Sequence, residues 1–214
     1  MAALIESEAG PVAPFDLAVI SQQLAADVSR LVPYTNGFTV EDYLSLDGPY
    51  LVEFDDGRLQ ILPMPDGLHQ AIISVLNDLL RDWLKVNDPE GRRKFSPFKV
   101  RLSDRDFREP DISCMLGKHA ARRHRGYWDG ADVVFEVISE SNRRHDVTTK
   151  YFKYEAAGFP EYWIIDPENR TVEIYLLTDG KYRPLESSVT AASVTLPGFG
   201  IGVAELFAKA EAEE

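Results

Sequence analysis

A carboxylate inside an apolar run is the first feature of this chain that demands a chemical explanation. Glu136 lies within Val133-Val134-Phe135-Glu136-Val137-Ile138, a stretch that reads as a central strand buried on both faces. A carboxylate there is costly unless something compensates it. It therefore faces a polar surface, is neutralised by an arginine, or ligates a metal. Asp111 opens a second short apolar segment, Ile112-Ser113-Cys114-Met115-Leu116, directly after Pro110. By itself it reads as an ordinary strand-start residue. Together, two carboxylates on neighbouring strands can hold a hard divalent cation such as Mg²⁺, which takes oxygen ligands and keeps several waters. Asp146 and Lys150 are four residues apart and share one helical face. They form a surface ion pair, or they bring a lysine to the cation site. A lysine there would orient a water or offset charge at an attacked phosphate.

These residues need elements to position them. Leu51 to Pro63 reads as a hairpin, with Asp56-Gly57 as its turn and alternating apolar residues on both sides. Leu68 to Val86 repeats apolar residues at three and four (Leu68, Ile72, Val75, Leu76, Leu79, Leu80, Trp83), which predicts an amphipathic helix. Strands are expected over Lys94–Leu102, Asp111–Leu116 and Asp132–Ser139. A helix follows over Asp146–Ala157, stopped by Gly158. Two more strands, Glu161–Asp166 and Thr171–Leu177, precede short edge strands over Lys181–Leu185 and Ser193–Leu196. Residues 15–32 carry a short helical pattern ended by Pro33, and Thr39 is placed to cap a short helix. The order predicts an α/β domain, a central mixed β-sheet flanked by helices.

The chain is 214 residues long, 44% hydrophobic and 27% charged, a globular balance with room for a full core. No apolar run reaches the length of a transmembrane helix. The N-terminus lacks a secretory pattern, so a cytoplasmic protein is the simplest expectation. The single cysteine, Cys114, excludes an intrachain disulfide and a cysteine-based zinc site. The net charge of −12 argues against a broad basic nucleic-acid surface. Local basic clusters occur at Arg92-Arg93-Lys94, from Lys118 to Arg125, and at Arg143-Arg144. They are solvated loops or the lining of a local groove.

Pro110-Asp111, Phe135 to Ser139, Asp146-x-x-x-Lys150, Tyr154 and Gly158 to Pro167 resemble the Uma-type restriction-endonuclease family of the PD-(D/E)XK nuclease superfamily, long described as domains of unknown function. Glu53, the Asp56-Gly57 turn and His69 resemble its N-terminal half. The resemblance spans about residues 38–207, which leaves 1–37 as a tail with a short helix and 208–214 as an acidic tail. It implies a restriction-endonuclease-like core in which Asp111 and Glu136 bind Mg²⁺ or Mn²⁺. The lysine expected two residues after the glutamate is Ile138 here, and Lys150 on the next helix is the matching position. Lys153 is a weaker substitute on another face. Glu53 matches a further acidic position that would complete the metal shell, so that Glu53, Asp111 and Glu136 supply the cage. His69 reads first as a packed or surface histidine. The implied activity is metal-assisted endonucleolytic hydrolysis of DNA by a homodimer, the commonest oligomer. The alternative is a non-catalytic nucleic-acid-binding or regulatory dimer on the same fold, or a structural dimer with remnant carboxylates.

Overall fold

The computed structural model describes residues 34–46, 50–139 and 145–213, the side chains of 34–36 and 145–147 excepted. The helical pattern at 15–32, the Arg143-Arg144 cluster and the Asp146 side chain lie outside the described residues.

The hairpin forms as its turn residues require. Strands β2 (Leu51–Asp55) and β3 (Arg58–Leu62) pair antiparallel with Asp55 opposite Arg58. The two linking residues, Asp56 and Gly57, take φ of 49° and 85°, the paired positive values of a hairpin turn matched to strand twist. Strand β1 (Tyr34–Asn36) adds to β3, so the last residues of the stretch read as a tail join a sheet. Helix α1 (Val40–Ser45) starts at Thr39, whose hydroxyl accepts from the Asp42 backbone while the Asp42 carboxylate accepts from the Thr39 backbone.

Helix α2 (Gly67–Asn87) is capped by Asp66, which accepts from the His69 backbone N–H at 2.8 Å. Its apolar stripe buries Ile72, Val75, Leu76, Leu80 and Leu84. Beyond it come β4 (Arg92–Phe95), β5 (Lys99–Ser103), β6 (Asp106–Arg108), β7 (Ile112–Met115), β8 (Tyr127–Asp129) and β9 (Val133–Val137). The expected strand over Lys94–Leu102 is two strands. Pro97 cannot donate to a ladder, and the chain leaves one sheet at β4 and enters another at β5. After one wide π-type turn (His145–Lys150), helix α3 (Tyr151–Ala157) ends at Gly158 with φ of 78°. Strands β10 (Glu161–Asp166), β11 (Thr171–Thr178) and β12 (Lys181–Leu185) follow. The last short pair is β13 (Thr190–Ala192) with β14 (Gly200–Gly202). The expected edge strand at Ser193–Leu196 is instead the connection between them, where the Leu196 N–H bonds the Ser193 hydroxyl and the Phe199 N–H bonds the Leu196 carbonyl. The stretch expected as an acidic tail, 208–214, is mostly helix. It continues α4 (Val203–Glu213), because the apolar spacing of Val203, Leu206, Phe207 and Ala210 keeps one face buried.

Two six-stranded mixed sheets result. One runs β1-β3-β2-β6-β5-β8 and the other β12-β11-β10-β9-β7-β4. In the second, β9 and β10 are parallel and centrally placed. Its two faces are both covered. Val133, Phe135, Val137, Trp163 and Ile165 pack with α2 and α4, while Val134, Ile138, Tyr162 and Ile164 pack with Tyr154 of α3 and Val100 of β5. That double burial explains the nearly unbroken apolar run around Glu136. Trp163 and Tyr162 are core residues. No helix among the described residues is long and apolar enough to cross a membrane.

The cap on α2 also fixes where His69 begins its helix. Replacement Asp66→Ala is expected to cost about 1 kcal/mol. Urea denaturation should show this as a lowered midpoint with an unchanged slope.

Candidate active site

Alternation along β9 puts Glu136 on the face of Val134 and Ile138, towards α3. It is 2% exposed. Two donors from the helix reach it. Lys150 Nζ donates to Glu136 Oε2 at 2.8 Å, and Tyr154 Oη donates to Oε1 at 2.7 Å. Lys150 and Tyr154 are four apart, so one helical face delivers both. Burial first, and then the Glu136 charge, push the Tyr154 hydroxyl well above its ordinary pKa, so it stays a donor. The surface-ion-pair reading of Lys150 does not hold, because the lysine is buried against Glu136.

Asp111 reaches the same place from the neighbouring strand. β7 and β9 pair with Ile112 opposite Phe135, and extending the register by one residue sets Asp111 across from Glu136. Its Oδ2 accepts from the Val137 backbone N–H at 2.7 Å, and its Oδ1 lies 3.1 Å from His69 Nε2. His69 therefore has a place in the site, brought there by the first turn of α2. Asp111, Glu136, Lys150 and His69 line one open pocket, together with Glu109, Ser96, Ser139 and a set of apolar residues.

Glu53, expected to complete the metal shell, sits behind the lysine and forms no three-carboxylate group with Asp111 and Glu136. Its Oε1 is 3.4 Å from Lys150 Nζ and its Oε2 is 3.4 Å from Arg108 Nε. Arg108 is buried and also reaches Asp106 at 2.6 Å and Asp55 at 3.6 Å. Burial lowers its pKa, but the Glu53, Asp106 and Asp55 charges outweigh this and raise it overall. Lys153 points away from the pocket and bonds Asp55 and Asp106 at 2.7 and 2.6 Å. It fastens α3 to the hairpin sheet, consistent with its expected different face.

Tyr154 stood in the family motif, four residues after Lys150, with no role assigned to it. Sequence reasoning passed over two of these residues. Glu109 stood beside Pro110. It lines the pocket, accepts from the Val52 backbone N–H at 3.0 Å, and is pushed up to about 7 by burial. Arg108 gave no signal, because its partners come from β2 and β6.

The donor chemistry can be tested against a metal. Asp111 and Glu136 present hard oxygens at one pocket wall. Among the described residues no group of three or more His, Cys, Asp or Glu side chains is placed to hold a metal ion. Two carboxylates are the donor type that Mg²⁺ or Mn²⁺ takes while keeping water ligands, and not the four-ligand set of a closed structural zinc site; both Glu136 oxygens already accept from Lys150 and Tyr154.

The sequence profile of the Uma2 family, described as "Putative restriction endonuclease", matches residues 40–206, and the chain belongs to that family. No curated protein matches the sequence. Among solved structures, a protein described as a putative nuclease belonging to DUF820 from Anabaena variabilis is similar, with a TM-score of 0.67 and 20% identity, over 81% of this chain and 99% of that one. The two share the fold.

Two outcomes follow from the geometry. Lys150→Met strands Glu136 without its cation and should cost about 3–5 kcal/mol. Adding Glu136→Gln should recover part of that loss in a double-mutant cycle read by urea unfolding. A single-variant cost below about 1 kcal/mol would mean the pair is solvated. Glu109 gives a pH dependence. The folded chain holds its proton up to about pH 7, whereas the unfolded chain releases it near the ordinary glutamate value of 4.5. Between these values the unfolded chain binds fewer protons, so this group's contribution lowers stability as pH rises. Glu109→Gln should flatten that slope in melts across the window.

Proposed function

We propose that this member of the Uma2 family is a metal-dependent endonuclease that hydrolyses phosphodiester bonds of DNA. The observation that carries the reading is the arrival of Lys150, from a helix, on the carboxylate that stands opposite Asp111. The family's description and that of the structural neighbour point the same way. The superfamily position two residues after the glutamate holds Ile138, yet a buried ammonium reaches Glu136 from Lys150.

Asp111 and Glu136 would hold Mg²⁺ or Mn²⁺. Bound there, the cation would supply Lewis acidity to the phosphate and lower the pKa of the attacking water. The chain's own residues do the rest. Val137 N–H fixes the Asp111 carboxylate, and His69 Nε2 lies 3.1 Å from its other oxygen. Tyr154 fixes Glu136. Lys150 places a positive charge at the pocket wall, where it offsets the charge that builds on the phosphoryl oxygens. Glu53, bracketed by Arg108 and Lys150, acts as a positioning residue for that lysine. We place the enzyme in the cytoplasm as a homodimer, symmetric dimers being the commonest oligomers.

A non-catalytic binding module on the same fold draws support from the absence of a three-ligand group among the described residues and from the net charge of −12.

Calorimetric titration with Mg²⁺ and Mn²⁺ separates the two. Wild type should bind saturably, and the Asp111→Asn, Glu136→Gln double variant should not. Metal should also raise the wild-type melting midpoint, since binding only to the folded state stabilises it. In a metal-supplemented cleavage assay on DNA, Lys150→Met should lower kcat by roughly 10²–10³ with little change in KM. Metal binding without cleavage would leave the binding module standing.

A further inference from the structure

The pocket has two unlike sides. One carries Asp111, Glu136, Glu109 and Lys150, and the other is apolar, built by Leu51, Leu62, Pro63, Met64 and Pro65. Met64 is 58% exposed, and Tyr50, next in sequence to Leu51, is also exposed. Pro63 and Pro65 each have a ring-locked φ, so Met64 is presented by a stiff segment that runs straight into the Asp66 cap of α2. An adaptable thioether on a rigid mount suits contact with a flat ring. A phosphodiester offers no apolar face to match this side. The part of a nucleotide that does is the base.

From this, and resting on the reading of the pocket as a nucleic-acid site, we infer that the apolar side seats an unpaired nucleobase next to the phosphate that a cation on Asp111 and Glu136 would hold. The substrate is then single-stranded or locally unpaired DNA, because a base stacked and paired inside a duplex cannot reach the side of the pocket that flanks its own phosphate.

Charge supports the same substrate. Duplex affinity rests on neutralising many phosphates, and this chain carries a net −12. Among the described residues, four of the clustered arginines bond groups of the fold. Arg92 bonds the carbonyls of Pro89 and Gly91, Arg93 bonds Asn77, Arg122 bonds the Asp129 carbonyl, and Arg123 bonds those of Glu90, Met115 and Leu116. Base stacking needs no broad basic surface and contributes for every base type.

The test is fluorescence anisotropy with Ca²⁺ replacing Mg²⁺, so that the cation site is filled and cleavage is suppressed, with three labelled probes of equal length: a single-stranded deoxyoligonucleotide, the same strand made of abasic residues, and a blunt duplex. The single strand should bind roughly tenfold or more tighter than the abasic strand. It should also bind more tightly than the duplex. Met64→Asp, an exposed change that should leave the fold intact, should remove most of the preference for bases. Equal binding of abasic and normal strands, tighter binding of the duplex, or no binding of any probe overturns the inference. Cleavage with Mg²⁺ is scored separately. Base-dependent binding without cleavage keeps the inference and removes the endonuclease. Duplex cleavage with no preference for bases does the reverse.

Discussion

Glu136 and Lys150 meet at 2.8 Å with both side chains buried, and much of the architecture follows from what that pair requires. Neither charge is tolerable alone in the centre of a two-faced sheet. The desolvation of each must be offset by the other and by further hydrogen bonds. Tyr154 supplies one on the glutamate side and Glu53 a second negative neighbour on the lysine side. Glu53 in turn has Arg108, which reaches Asp55 and Asp106, and Lys153 closes the set by bonding the same two aspartates. The hairpin sheet and helix α3 are thus joined by alternating charges as well as by apolar packing. The wide turn over His145–Lys150 delivers the lysine at the start of α3, and turns of this kind are common at functional sites.

The two carboxylates of the proposed cation site are held in different ways. Glu136 is locked by side chains from the helix. Asp111, whose side chain is 14% exposed, is locked by a backbone N–H of the adjacent strand and by the histidine that begins α2. Each element that meets at the pocket therefore fixes one donor, and the sheet register sets their separation. A site assembled on strands and helix starts in this way is rigid before any ligand arrives, which is what electrostatic assistance to a charged reaction needs.

Periodicity made the main elements readable. The helix over residues 67–87, the Asp56-Gly57 hairpin and the buried strand around Glu136 all follow from local apolar spacing and turn chemistry, which act within a few residues. Where the reading failed, a partner distant in sequence decided. Lys94–Leu102 looks continuous by composition, yet Pro97 divides it between two sheets. Ser193–Leu196 has strand-like residues, but the ladder forms between Thr190–Ala192 and Gly200–Gly202. The acidic composition of the last residues hid a helix face that packs on the core.

From the sequence alone came Asp111, Glu136 and Lys150 as candidates, because a carboxylate in an apolar strand carries an energetic cost visible without coordinates and because the motif spacing around it resembles a nuclease family. The sequence also bounded the chemistry, since one cysteine excludes a cysteine-based zinc site and a net charge of −12 argues against a broad basic surface. Only the tertiary structure decided which partners those residues take. It placed Glu53 behind Lys150, brought His69 to Asp111 and buried Arg108 among three carboxylates. Charge pairing acts over a few ångströms of space and not along the chain, so its partners become fixed only once the two sheets and the helices are packed together.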